Sequence, residues 1–141
     1  MKVLFDTNVI LDLLLDRQPY SEAASLLVAR VERGEIAGYV CATTITTIFY
    51  LATKVVGIAS ARIQIKKILE LFEVALVNRY VLDSALTSSF NDFEDAVLYE
   101  AAKYAGVDCI VTRNIKDFKL AKLPVYLPSE LESVSALSER K

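Results

Sequence analysis

Short apolar runs alternate along this chain with longer stretches whose apolar residues recur every three or four positions. Val3 to Phe5 is the first such run and reads as a buried strand. It turns at once into Asp6-Thr7-Asn8 and a leucine-rich helix over Asn8 to Leu15, with Pro19 closing the unit. After Ser21, residues Ala24, Leu27, Val28 and Val31 form the stripe of a core-facing helix that Gly34 stops. Ile36 to Ala42 reads as a second strand. The run from Thr43 to Val56 is too long for a strand and predicts a helix despite its β-branched content, with Gly57 as C-cap. From Ser60, taken as an N-cap, Ile65, Ile68, Leu69 and Phe72 repeat the helical stripe. Val74 to Val77 is a third strand, and Asn78 caps a short helix containing Val81, Leu82, Ala85 and Leu86.

A further helix begins near Asn91 or Asp92, is expected to bury Phe93, Val97, Ala101 and Tyr104, and stops at Gly106. Cys109 to Thr112 is a fourth strand and Val125 to Leu127 a short fifth one, followed by Pro128 and a closing helix from Ser129. Buried-looking strands that alternate with helices predict an α/β fold. The expected form is a three-layer α/β/α sandwich with a mainly parallel sheet of about five strands, built as one domain over residues 1–141. Right-handed crossovers put all the strand ends on one side. Ligands of such sheets bind in the crevice outside those ends.

That geometry singles out the polar residues that follow strands. Asp6 stands directly after the first strand; as an N-cap it would accept backbone N–H groups, and a helix N-terminus would keep it ionised and aimed. Asp92 and Asp95, three apart, share one face of a first helical turn, while Glu94 is expected to point elsewhere. Thr112, Asn114 and Asp117 follow the fourth strand, where an Asx-turn is the simpler alternative for Asn114 and Asp117. If these three sets meet, Asp6 and Asp95 offer the oxygen ligands that Mg²⁺ or Mn²⁺ prefers. Arg113, Lys116, Lys119 and Lys122 recur every three residues beside the same place, as phosphate-binding cations or as a solvated loop.

Composition narrows the chemistry. The 141 residues contain no histidine, so Ser-His-Asp and Cys-His arrangements are excluded, and carboxylates, hydroxyls, lysine and bound metal remain. The formal net charge of −2 argues against a broadly basic protein that coats nucleic acid. Cys41 and Cys109 lie in apolar runs and read as small buried hydrophobes. The opening run is too short for the apolar core of a signal peptide, and no apolar run is long enough to span a membrane, so a cytoplasmic protein is expected.

Three segments carry a resemblance: Lys2-Val3-Leu4-Phe5-Asp6-Thr7-Asn8-Val9-Ile10-Leu11-Asp12, then Asp92-Phe93-Glu94-Asp95-Ala96, then Ile110-Val111-Thr112-Arg113-Asn114-Ile115-Lys116-Asp117-Phe118. In kind, order and spacing they resemble the motifs of the PIN domain family, in particular its VapC-like toxins. The resemblance implies helices around a parallel sheet and a Mg²⁺- or Mn²⁺-dependent endoribonuclease, the toxin of a pair silenced by a small antitoxin protein. Homodimers are usual among the small members.

It also implies Asp6 and Asp95 as metal ligands, and in the leading reading Asp92, Asn114 and Asp117 support them as further catalytic-site residues. Thr7, Asn8 and Thr112, with Arg113 and Lys116, would position water or RNA. The chain departs from the family pattern twice: Thr47 stands where the family usually has Glu, and Asn114 where it commonly has Asp. Those departures motivate the rival reading, a catalytically weak or inert module that binds RNA or a protein. A phosphoacceptor domain is disfavoured, because Asn8 rather than Asp lies two residues after Asp6 and no Asp follows Val77.

Overall fold

The computed structural model describes residues 1–139. Five strands form one parallel sheet: β1 (Lys2–Phe5), β2 (Ala37–Cys41), β3 (Glu73–Ala75), β4 (Cys109–Val111) and β5 (Val125–Tyr126). The helices between and after them are α1 (Thr7–Leu14), α2 (Ser21–Glu32), α3 (Ala42–Val56), α4 (Ile58–Leu71), α5 (Arg79–Leu86), α6 (Phe93–Ala105) and α7 (Pro128–Glu139). A 3₁₀ turn covers Ile115–Phe118.

Strand order is β3-β2-β1-β4-β5. The chain therefore builds outward from β1 to one edge, returns, and builds outward again from β4. The reversal point lies between β1 and β4, where Phe5 pairs with Val111. That pairing places the residues after both strands side by side, at the crevice where open parallel sheets bind ligands.

Period-two alternation divides the core. Val3 and Phe5 face the helices α1 to α4 and α7, with Val9, Leu27, Ile48, Ile68 and Leu131 among the buried partners. Leu4 faces the other way, onto α5 and α6, with Val81, Ala85, Val97, Ala101 and Phe118. The sheet is thus covered on both faces, which is why its strands read as continuous apolar runs rather than alternating ones. Both cysteines are buried and unpaired; burial in apolar surroundings, with Asp108 nearby, pushes the Cys109 thiol up to about 11. No helix among the described residues is long and apolar enough to cross a membrane.

Several expected details differ. Helix α4 begins at Ile58, and the residue before it is Gly57, whose φ of 85° lets it end α3 and start α4 in one step. Ser60 therefore lies inside the first turn and is not the N-cap. The third strand is Glu73–Ala75 rather than Val74 to Val77. Leu69 is exposed, as are Phe93 and Tyr104 of α6. The buried face of α6 is instead Ala96, Val97, Leu98, Tyr99, Ala101 and Ala102, because small residues there let the helix lie close to the sheet and α5. Tyr104 packs at the outer edge against Tyr80 of α5, with ring centroids 5.9 Å apart.

Gly38, the second residue of β2, marks a close approach of strand and helix. A Cβ added there would lie 3.0 and 3.1 Å from the two Cγ atoms of Val31 and 3.3 Å from a ring carbon of Phe72. Strand and helix would have to separate, so Gly38→Ala should lower unfolding free energy by about 1–3 kcal/mol, the usual cost of overpacking. Chemical denaturation of the two proteins measures the difference; an unchanged midpoint would show that Val31 can simply turn aside.

Candidate functional site

Asp6 is the N-cap of α1 and is only 8% exposed. Its backbone N–H donates to the Val111 carbonyl at 3.0 Å, continuing the β1–β4 ladder one residue past the strand. Its side chain is held from three directions. The Thr7 backbone N–H donates to Oδ1 at 2.7 Å, the Thr112 hydroxyl donates to Oδ2 at 2.7 Å, and the Asn8 amide donates to Oδ2 at 3.3 Å. Thr112 is fully buried and also accepts the Asn114 backbone N–H at 3.0 Å. The Asn8 side-chain carbonyl accepts the Arg113 N–H at 3.3 Å. Two strand ends are thereby fastened together through one carboxylate.

The second acidic segment arrives on α6. Asp92 is the N-cap, and its Oδ1 accepts the Asp95 backbone N–H at 3.0 Å. Asp95 is half-buried on the first turn. Asp6, Thr7, Asn8, Asp92, Asp95, Asn114 and Asp117, all singled out from the sequence, line one cleft of about 350 Å³. Glu94 lines it too, contrary to the expectation that it points elsewhere. Because α6 starts at the cleft rim, consecutive residues of its first turn all remain within reach.

Thr47 is not brought in. Its hydroxyl donates to the Thr43 carbonyl at 3.1 Å, and the α3 residues lining the cleft are Thr43 and Thr44. The Thr44 hydroxyl lies 2.9 Å from that of Thr7. Sequence reading missed Thr44 because nothing distinguishes it within a run of threonines.

Crowding of carboxylates shapes the electrostatics. Asp95 is pushed up to about 7, chiefly by burial and then by the negative charges of Asp92, Asp6, Asp117 and Glu94. Asp6 is also raised: burial outweighs the opposing hydrogen bonds from Thr112 and Thr7, and Glu94 and Asp117 add to it. Donors at the helix N-terminus and from Thr112 thus oppose the desolvation of this carboxylate without outweighing it.

The cations are arranged differently from the expected run. Arg113 turns away from the cleft: its Nε and Nη2 donate to the two oxygens of Asp12 at 2.7 and 3.2 Å, and its guanidinium lies 3.9 Å from the ring centroid of Tyr20. Lys116 and Lys119 line an adjoining hollow that shares Asp92, Asp95 and Asp117 with the cleft. Lys122 is exposed and borders neither hollow; its backbone N–H donates to the Tyr99 hydroxyl at 2.9 Å.

Arg17, by contrast, does line the acidic cleft. Its Nε lies 3.1 Å from Asp12 Oδ1, a charge contact whose N–H is not aligned for a hydrogen bond. Asp12 itself is completely buried. A lone charge inside the leucine run of α1 was the available signal, since acidic residues are almost never fully buried unless paired.

Among the described residues no three Asp, Glu, Cys or His side chains already stand as a metal-binding group. Mg²⁺, however, needs only one or two protein carboxylates and keeps several waters. The all-oxygen donor set of Asp6 and Asp95, with Asp92, Glu94, Asn114 and Asp117 around it, suits such a hard cation.

The raised Asp95 pKa has a stability consequence. The folded state holds this proton more tightly than the unfolded chain, so the contribution falls as pH rises from about 4 to about 7 in metal-free protein. Asp95→Asn should therefore gain stability relative to wild type over that interval, by about 1–2 kcal/mol at pH 8 after allowance for solvent screening. Thermal denaturation in EDTA at pH 4.5 and pH 8 measures it; a difference independent of pH would show that neither burial nor the neighbouring carboxylates raise Asp95.

Comparison with known proteins agrees with this fold. A PIN domain family model matches residues 2–116. No curated protein matches the chain in sequence. Among solved structures, a toxin–antitoxin complex from Klebsiella pneumoniae superimposes with a TM-score of 0.66 at 22% identity, covering 89% of this chain and 97% of the other. VapBC-1 from nontypeable Haemophilus influenzae gives 0.67 at 16% identity, covering 92% and 99%. VapBC2 from Rickettsia felis, bound to a DNA fragment from its promoter, gives 0.64 at 15% identity, covering 90% and 98%. At these identities the structures establish the shared fold. The family match across most of the sequence, on a sheet whose reversal point gathers Asp6, Asp95 and Asp117, establishes that this chain belongs to the PIN domain family.

Proposed function

We propose that this chain is a Mg²⁺- or Mn²⁺-dependent endoribonuclease and the toxin of a toxin–antitoxin pair. The observation that carries the reading is the convergence of carboxylates from three distant segments, after β1, at the start of α6 and after β4, on one cleft at the sheet's reversal point. A bound divalent cation supplies an activated water and neutralises charge on the phosphodiester. Asp6 and Asp95 hold it, and Asp92, Glu94, Asn114 and Asp117 orient the surrounding water. Asp6 is kept in place by Thr7, Asn8 and Thr112, so its oxygens need not reorganise when a cation arrives.

Arg17 on one side and Lys116 and Lys119 on the other offset the acids where an RNA backbone would approach. The toxin reading, with a small antitoxin protein as partner, is supported by the toxin–antitoxin complexes among the structures of like fold; the homodimer is part of the proposal and rests on the family resemblance alone. A cytoplasmic setting suits the RNA substrate and the two unpaired buried cysteines.

A second reading, a PIN domain that binds RNA or protein without cutting, is favoured by two observations. Thr47 bonds its own helix, and Asn114 contributes no charge. Calorimetric titration with Mn²⁺ separates the two, because the inert module takes up no metal at millimolar concentration.

The nuclease reading predicts cleavage of single-stranded RNA with Mn²⁺ or Mg²⁺, abolished by EDTA. Asp6→Asn and Asp95→Asn should each reduce the rate by on the order of 100-fold or more, the effect of removing one preorganised electrostatic group. Gel assays on an RNA panel with all three proteins provide the measurement. Cleavage that persists in both variants or in EDTA overturns the assignment.

A further inference from the structure

Beside the acidic cleft lies a second hollow of about 350 Å³, walled by Pro19, Tyr20, Leu127 and Pro128, with Arg113, Asn114 and Ser129 as its polar members. Asn114 lines both hollows, so they are neighbours on the surface. The size is within the roughly 300–1,000 Å³ of pockets that take small organic groups. We propose that this hollow receives one nucleobase of the RNA, next to the phosphodiester held in the cleft. The assignment rests on the ribonuclease reading and names how that site would grip its substrate.

The chemistry comes from Tyr20 and Arg113. Tyr20 is 43% exposed, an aromatic surface left open at the rim of the hollow. The Arg113 guanidinium lies 3.9 Å from its ring centroid and is fixed there by the fork of hydrogen bonds to Asp12. Single-stranded RNA is commonly read by stacking unpaired bases on aromatic rings and guanidinium planes. Here the guanidinium already lies over the ring and is held by Asp12, so little side-chain freedom is lost when a base adds to the open part of the ring. Ser129 gives the base edge a hydroxyl partner.

Asp12 links this hollow to the cleft. It is fully buried, and it contacts Arg113, which lines the hollow, and Arg17, which lines the cleft. One carboxylate thus sets two guanidiniums at neighbouring stations, one where a base stacks and one where a phosphate passes. Apolar walls beside a cation suit a nucleotide better than a bare anion.

The test uses a short single-stranded oligoribonucleotide carrying 2-aminopurine, with binding measured in EDTA so that the chain is not cut. Wild type should quench the probe's fluorescence on binding. Tyr20→Ala should lose the quench and bind roughly 5- to 150-fold more weakly, the range for one stacked base. Tyr20→Phe, which keeps the ring, should stay within about twofold of wild type on the same stacking argument. Absence of RNA binding, or equal quench and affinity in wild type and Tyr20→Ala, overturns the proposal and leaves the hollow to a protein side chain. Cleavage with Mn²⁺ is scored separately, so a protein that binds and quenches but never cuts refutes the nuclease reading alone.

Discussion

The buried hydrogen bond from the Thr112 hydroxyl to the Asp6 carboxylate joins the two strand ends on either side of the sheet's reversal point, at 2.7 Å. Each end is also fixed by backbone: Asp6 N–H to Val111, and Phe5 in register with Val111. A carboxylate so placed can neither swing to solvent nor rotate away from the cleft. The Thr7 N–H and the Asn8 amide complete its attachment, and Asn8 in turn holds the backbone of the loop that carries Asn114. Loosening this contact would also release the Thr112 hydroxyl that accepts the Asn114 backbone N–H.

Around that fixed point the structure tolerates a concentration of negative charge that is unfavourable in isolation. Asp92 caps α6, which accounts for one acid in local terms. Glu94 and Asp95 in the first turn also suit a helix N-terminus. Capping does not explain why this N-terminus faces Asp6 and Asp117, nor why Asp95 is driven up to about 7. The acids destabilise one another here, and the divalent cation proposed for the cleft would offset that repulsion.

Buried charge is paired. Asp12, fully buried inside the leucine-rich face of α1, is met by the partly exposed Arg113 and Arg17, and the buried Arg30 is paired with Glu132 where α2 meets α7. Ion pairs like these contribute more to position than to net stability, since desolvation offsets much of the attraction. In the Asp12 pair the positions matter: two guanidiniums that would otherwise range freely over the surface are set at the edge of the cleft and in the hollow beside it.

Much of this protein was legible in its residues. The strand and helix order follows from apolar periodicity, and the acids at Asp6, Asp92, Asp95 and Asp117 stand at predicted strand ends and helix starts, where polar residues in such a fold gather. Those are local or topological consequences, and local chemistry dictates them. What the sequence could not decide depends on how helices rotate and pack. Phe93 and Tyr104 look like core residues by spacing yet face outward, because small residues on α6 approach the sheet more closely. Glu94 enters the cleft through the placement of the helix start at its rim. Arg113 faces a buried carboxylate rather than the cleft because Asp12, far from it in the chain, lies within reach only once β1 and β4 are paired. Side-chain direction on a helix is a tertiary quantity: a rotation of one residue's angle exchanges core for solvent, and only the packed neighbours choose between them.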